Sequence, residues 1–308
     1  MSKKLRGNLM LLLAAFIWGS TFVFQSAAMK YVEPFTFNAC RSYVGFVVLA
    51  PTVTVFRSVR RKEGLVSPKD YGEINRNSII AGIGCGLALV IASSFQQIGI
   101  SLTTSGKAGF ITAIYIIMVP ILSIFLGHKI PKIIWLCALL SLSGFYFLCI
   151  REGFTINPGD IYCLICAFCF SIQIMLIDHY TKMDWKMDPV MMSMVEFLVV
   201  AVISTILMFI FEAPTIPSIL EAGFPIFYAG ALSSGIAYTL QILGQRDTSP
   251  ETAPLIMSLE SVFAALFGWL ILGEVMSIKE LFGCALVFIS VILSQLPDRK
   301  TKEQILGN

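Results

Sequence analysis

"LIMSLESVFAALFGWLILGE", residues 255–274, is a run of twenty residues in which only the two glutamates are charged. At about 1.5 Å of rise per residue, a helix of this length spans the roughly 30 Å hydrocarbon core of a bilayer. Its second glutamate, Glu274, sits at the predicted helix end, where water can reach it. The first, Glu260, lies well inside the apolar run with no basic residue near it in sequence. A charge at that depth is costly in lipid and normally faces the protein interior.

Similar runs recur along the chain, for example residues 9–28, 79–100 and 281–296. Of the 308 residues, 56% are hydrophobic and 13% charged, about half the charged share of a soluble domain. The chain therefore reads as an all-α membrane protein with no room for a separate soluble domain. Its net charge of +3 gives no nucleic-acid signal, because the basic residues lie in short loops. Lys3, Lys4 and Arg6 before "NLMLLLAAFIW" imitate a secretory signal, with "SAA" at 26–28 as a cleavage site. The apolar run is too long for that, so it is expected to remain as a helix. All eight cysteines fall in apolar segments, which argues against a disulfide framework. "CLICAFC" (Cys163, Cys166, Cys169) has ligand-like spacing but lies mid-helix, where small apolar packing residues are expected.

Ten transmembrane helices are predicted, at about 8–29, 34–56, 78–100, 105–127, 131–150, 159–181, 188–211, 221–245, 251–273 and 278–297. With the N-terminus cytoplasmic, 17 Lys and Arg fall inside and 4 (Lys30, Lys107, Arg151, Lys279) outside, Arg41 being intramembrane. The positive-inside rule then places both termini in the cytoplasm of a multi-pass cell-membrane protein. The basic loop at 57–77 suits anionic lipid headgroups. The two halves also align. Gly7 pairs with Gly159, Ala15 with Ala167, Phe16 with Phe168, Pro34 with Pro189 and Arg41 with Glu196. Further along, Gly86 pairs with Gly230, Gln97 with Gln241 and Gly127 with Gly273. Five helices per half is an odd number, so the second half enters the membrane inverted, the architecture of many secondary transporters. The repeats are expected at 1–154 and 155–297, with a tail at 298–308.

Two segments carry a resemblance. "AAFIWGSTFVFQSAAMKYVEPFTFNACR" resembles the first-helix signature of EamA-type members of the drug/metabolite transporter superfamily. "TSPETAPLIMSLESVFAALFGWLILGEVMS" resembles the closing segment of their second repeat. The resemblance covers residues 7–297 and implies a transporter, with export of amino acids, metabolites or drug-like amphiphiles as the favoured direction. It also implies that helices 5 and 10 stand outside the central cavity as scaffold. One position departs from it. The family places proline directly after the glutamate, whereas this chain has Ser261, so the helix break expected there lacks its proline.

Candidate solute-binding residues follow from helical spacing. Trp18, Phe22 and Gln25 share a face of helix 1; Ser234, Tyr238 and Gln241 share one of helix 8. Ser94 and Gln97 are the helix 3 counterparts of Tyr238 and Gln241; Thr112 and Tyr115 share a face of helix 4; Gln173 lies in helix 6. Each alone reads as inter-helix glue; together with Glu260 they suit a midplane cavity for an organic solute. Glu260 is expected to bind a polar or cationic part of the solute, or to carry a proton. Arg41 and Glu196 are structural or gating charges, with pairing between Arg41 and either acid as the packing alternative. Lys107 is an outer-interface anchor or part of an external gate. His128 and His179 are too far apart for a metal site, and the "GIGCG" at 82–86 suits close helix packing. No H-E-x-x-H, nucleophile elbow or Walker loop is present, so neither enzyme activity, nor a cofactor, nor nucleotide-driven pumping is expected. An importer or bidirectional facilitator, and less so a membrane-embedded enzyme, remain the alternatives.

The orientation is testable. In a background lacking the native cysteines, Thr103→Cys should react with an impermeant thiol reagent on intact cells. Labelling only after permeabilisation would refute the predicted topology.

Overall fold

The computed structural model of the protein describes residues 2–62, 67–103, 105–149, 157–272 and 277–295. Its elements are helices α1 (Lys3–Ala28), α2 (Pro34–Lys62), α3 (Tyr71–Leu102), α4 (Ser105–Thr112), α5 (Tyr115–Phe125), α6 (Lys132–Cys149), α7 (Pro158–Lys182) and α8 (Pro189–Phe211). They continue with α9 (Ile216–Glu221), α10 (Gly223–Tyr228), a π-helical segment (Ala229–Ala237), α11 (Tyr238–Arg246), α12 (Thr252–Met257), α13 (Leu259–Leu272) and α14 (Ile278–Ser294). Among the described residues, eight helical spans are long and apolar enough to cross a membrane. Lys132–Phe147 is a shorter apolar helix, and α14 packs along it. Grouping the interrupted helices gives ten crossings, with α4–α5 as the fourth, α10–α11 as the eighth and α12–α13 as the ninth.

Local chemistry fixes the ends. Asn157 and Asp160 form a capping box at α7, with Pro158 in the first turn, and Ser277 with Glu280 does the same for α14. Asp188 accepts hydrogen bonds from the amides of Val190 and Met191 at the start of α8. The free amides opening α2 are met from across the bundle: Glu212, just past α8, accepts from Phe35 N at 2.6 Å, Thr36 N at 2.7 Å and Thr36 Oγ1 at 2.6 Å. At the opposite end of this antiparallel pair, Arg57 Nε meets Asp188 at 3.1 Å. Each end satisfies helix-terminal groups that hydrocarbon could not.

The packing is that of two inverted five-helix repeats. α1 lies on α13 as α7 lies on α4 and α5; α2 lies on the π segment as α8 lies on α3; α3 packs on α7 as α11 packs on α1. The helices that pair with their own repeat counterparts, α2 with α8 and α6 with α14, do so extensively. Glycines mark the same relation. A Cβ on Gly7 would lie 2.8 Å from the Gly244 carbonyl oxygen, and one on Gly244 would lie 2.9 Å from that of Gly7. In the other repeat, Gly99 and Gly159 are related in the same way, at 3.1 and 3.0 Å. Gly230 abuts the carbonyl of Arg41 (2.7 Å), and Gly86 abuts that of Glu196 (2.9 Å). α6 and α14 pack on each other through a Ser141–Ser290 hydrogen bond of 2.7 Å, outside the central helices.

Three expectations are corrected. The loop at 57–77 is mostly helix: α2 runs on through Arg60, Arg61 and Lys62, and α3 already starts at Tyr71. Leaving the bilayer does not end a helix, and cations suit its C-terminal dipole. The eighth crossing is not α-helical throughout, because Ala229–Ala237 is π-helical. The ninth breaks although it has no proline after Glu260. α12 stops at Met257 and α13 begins at Leu259, with the Ser258 hydroxyl donating to Leu255 O and the Ser261 amide donating to Ser258 O. A serine hydroxyl and a tightened i→i−3 bond make the break in place of a proline ring. Thr103 hydrogen-bonds Asp160 at 3.0 Å, so exposed Ser101 is the gentler cysteine site for the orientation test. Glu274 and the Lys107 side chain lie outside the described residues.

The glycine contacts set a stability test. Gly99→Ala and Gly244→Ala should each cost about 1–3 kcal/mol, the usual cost of overpacking, read as a lower melting temperature in detergent. Gly72→Ala, with nothing within 4 Å of its added Cβ, should melt like the parent. Equal melting of all three would refute the close packing of α3 on α7 and of α11 on α1.

Candidate functional site

The fourth and ninth crossings, equivalent in the two repeats, break at matching places. α4 ends at Thr112 and α5 starts at Tyr115, with Ile114, Ile116 and Ile117 amides all using i→i−3 bonds. Just beyond the breaks the two crossings are joined: the buried Tyr115 hydroxyl donates to Glu260 Oε1 at 3.1 Å. Gly19 brings α1 against this point, since a Cβ there would lie 2.8 Å from the Glu260 carbonyl oxygen and 2.4 Å from Phe263 Cβ. The apolar helix thus holds its acid where two broken helices and a close-packed third converge.

That convergence floors a cavity. α1 contributes Trp18, Thr21, Phe22 and Gln25; α2 contributes Arg41; α4 and α5 give Thr112 and Tyr115. The eighth crossing adds Ser233, Tyr238 and Gln241, and Glu260 and Met257 come from the ninth. Gln96, Phe170 and Ile174 complete the wall. Trp18 meets Tyr238 edge-on with ring centroids 5.0 Å apart, and Phe197 holds Tyr238 from behind at 5.1 Å. The open space is about 40 Å³, room for a few waters and far below the roughly 300 Å³ of sites that enclose an organic ligand. This is a narrow conformation of the cavity.

Arg41 is 3% exposed and forms no ion pair with Glu196 or Glu260. Its guanidinium carbon lies 5.5 Å from the Phe37 ring centroid, and Nε has no hydrogen-bond partner. The packing alternative of a buried Arg41–acid pair is not what the structure contains. Among the described residues, one wall therefore carries a cation without an ion-paired anion, and another a carboxyl group held by a phenol. Such a pair can receive complementary charges of one ligand.

Of the residues selected from sequence, Trp18, Phe22, Gln25, Arg41, Thr112, Tyr115, Tyr238, Gln241 and Glu260 meet on this cavity. Ser94, Gln97, Gln173, Ser234 and Glu196 are buried and do not form its wall. Gln97 is fully enclosed with both amide atoms unpartnered, while its repeat counterpart Gln241 reaches the cavity. The π segment accounts for the difference: each extra residue in an i→i+5 turn rotates the following face by about 100°, whereas α3 continues unbroken. Gln96, the neighbour of Gln97, faces the cavity instead. Sequence reasoning also missed Thr21, Ser233 and the apolar Phe170, Ile174 and Met257. Thr21 was within reach of the i, i+3 rule applied to Trp18; the apolar residues carry no signal separate from core packing.

Known proteins agree with this architecture. The model of the EamA-like transporter family matches residues 5–150 and again 157–296. An uncharacterized transporter of Archaeoglobus fulgidus is 30% identical over 96% of this chain and 87% of its own length. The uncharacterized transporter YoaV of Bacillus subtilis is 22% identical over 90% of this chain and 92% of its own. One solved crystal structure, 19% identical, superposes with a TM-score of 0.74 over 96% of this chain and 98% of that one, a likeness of fold. With a family match in each inverted half and a relative spanning nearly the whole chain, this protein belongs to the EamA-like transporter family.

Proposed function

We propose that the protein is a secondary transporter that exports a small organic solute bearing an anionic group, by alternating access through the cavity between its two repeats. The observation carrying this reading is Arg41, buried on the cavity wall and, among the described residues, without an ion-pair partner. A buried cation is normally paired, and a solute oxyanion is a partner that can arrive and leave. The guanidinium fork suits two-pronged binding of a carboxylate. Glu260 takes the polar or cationic part of the solute, and Trp18, Phe22 and Tyr238 enclose its apolar body. The Tyr115–Glu260 bond, linking the two broken crossings, opens and closes as the repeats rock. Export follows the direction implied by the family resemblance, and the 17-to-4 distribution of basic residues supports two cytoplasmic termini.

Purified protein should be screened by thermal shift against carboxylates, amino acids, nucleosides and cationic dyes. Carboxylate-bearing compounds should stabilise it. Arg41→Gln should weaken that binding at least tenfold, since losing a charge-assisted contact costs about 1.5–3 kcal/mol. Stabilisation by cationic dyes alone, unchanged in Arg41→Gln, would overturn the reading.

Glu260→Gln keeps the side chain's shape but removes its charge. The variant should melt normally and lose solute flux, or the pH dependence of that flux, in proteoliposomes. Full, pH-responsive flux by a stable Glu260→Gln protein would remove Glu260 from the mechanism.

A further inference from the structure

Glu196 has no exposed surface at all (0%). Its Oε1 accepts from Gln173 Nε2 at 2.9 Å, while Oε2 has no partner. The groups facing it from the surrounding helices are Gln173 of α7, Cys85 of α3 and Tyr238 of α11. The π segment, Ala229–Ala237, brings no titratable residue. α2 contributes Arg41, whose guanidinium lies over the Phe37 ring and forms no ion pair with Glu196. Among the described residues, no cation forms an ion pair with this acid.

It is nonetheless connected to the cavity. Gln173 Oε1 accepts from Gln241 Nε2 at 3.3 Å, and Gln241 is part of the cavity wall. Carboxylate chemistry gives this chain a direction. An ionised Glu196 can only accept, so Gln173 must turn its NH₂ toward it and its carbonyl toward Gln241. Gln241 then donates to Gln173, and its own carbonyl oxygen is left without a partner. A proton on Glu196 adds a donor at the carboxyl. That hydroxyl is satisfied when Gln173 reverses its amide to accept, whereupon Gln173 donates to Gln241 and the Gln241 NH₂ is the group left over.

We propose that Glu196 binds one coupling proton, and that the Gln173–Gln241 chain transmits its presence to the cavity by reversing the Gln241 amide from acceptor to donor. The proton is taken from and returned to whichever aqueous side the repeats expose. No covalent bond changes. The proposal rests on the reading of the cavity as the solute site, and it gives the two buried acids separate tasks. Glu260 touches solute, and Glu196 is a positioning residue acting through Gln173 and Gln241.

The test needs no solute. Protein in lipid vesicles, carrying Glu260→Gln and with Trp135, Trp185 and Trp269 replaced by phenylalanine, is titrated with pH. Infrared spectroscopy follows the carboxyl C=O stretch, and fluorescence follows Trp18, which touches Tyr238 one turn from Gln241. A carboxyl band and the Trp18 emission should change with one midpoint, and both changes should vanish on adding Glu196→Gln. Gln173→Leu should keep a titrating band, moved to the higher frequency of an unbonded acid, while abolishing the Trp18 change. This second variant decides the matter even if Glu196→Gln fails to fold. A titrating band unaffected by both substitutions, or a Trp18 response that survives Gln173→Leu, would overturn the proposal. A failed carboxylate screen would count against the solute reading and leave this titration intact.

Discussion

Hydrocarbon offers no hydrogen-bond partners, so a helix crossing it can be interrupted only where protein or enclosed water takes over the freed backbone groups. The rest of the structure depends on this constraint. The described crossings contain interruptions at residues 113–114, at the π segment Ala229–Ala237 and at Ser258. All three border the same cavity, which is lined by Thr112, Tyr115, Ser233, Tyr238, Met257 and Glu260 from the flanking turns. By contrast α1, α3, α7 and α8 run unbroken for 23 to 32 residues and hold the broken crossings in place. Irregular backbone and polar side chains are concentrated where lipid cannot reach them.

The inverted repeat supplies this arrangement twice, and the departures from symmetry are informative. The reciprocal Gly7–Gly244 and Gly99–Gly159 contacts, and the seating of Gly230 on Arg41 and Gly86 on Glu196, are shared by both halves. The side chains exposed by those shared positions are not alike. Arg41 reaches the cavity and Glu196 does not; Gln241 reaches it and Gln97 does not. The backbone contacts constrain how the helices pack and tolerate little change, while the outward course of the side chains is free to differ. A symmetric frame thus encloses an asymmetric lining, which is what recognition of an asymmetric solute requires.

The crossings and their repeat relation, including the repeat-equivalent glycines Gly86 and Gly230, were legible because hydropathy, helix-ending prolines and small-residue positions are local signals; the Gly7–Gly244 and Gly99–Gly159 contacts were not. The cavity was legible where polar and aromatic residues shared a face of a regular helix, as Trp18, Phe22 and Gln25 do on α1. It was misread where regularity failed. Gln97 was inferred from its counterpart Gln241 by even spacing, and the π segment in one repeat breaks that spacing. The break beside Glu260 could not be anticipated from Ser261, since it rests on the hydroxyl of Ser258 and an amide bond three residues back. Long helical extensions such as the Arg60–Lys62 end of α2 were hidden because charge marks departure from lipid and says nothing of where a helix ends.

The absence of a direct pair between Arg41 and Glu196 or Glu260 is the feature least expected of buried charges, which are normally paired. Opposite charges in a low-dielectric interior attract strongly, and a direct pair would be the simplest way to offset their desolvation. Such a pair would also satisfy both groups and leave a solute to compete with a bond already made. The structure instead gives Arg41 the face of Phe37, gives Glu260 the hydroxyl of Tyr115, and gives Glu196 the amide of Gln173. The contacts of Arg41 and Glu260, the two that line the cavity, are weak and uncharged, and an incoming ion can displace them. Tyr238, wedged between Trp18 and Phe197, shares the cavity wall with Arg41 and Glu260. Under the proposed function, the stability forgone by leaving Arg41 and Glu260 unpaired is what the solute restores on binding, so affinity arises from the same desolvation that makes the empty cavity costly.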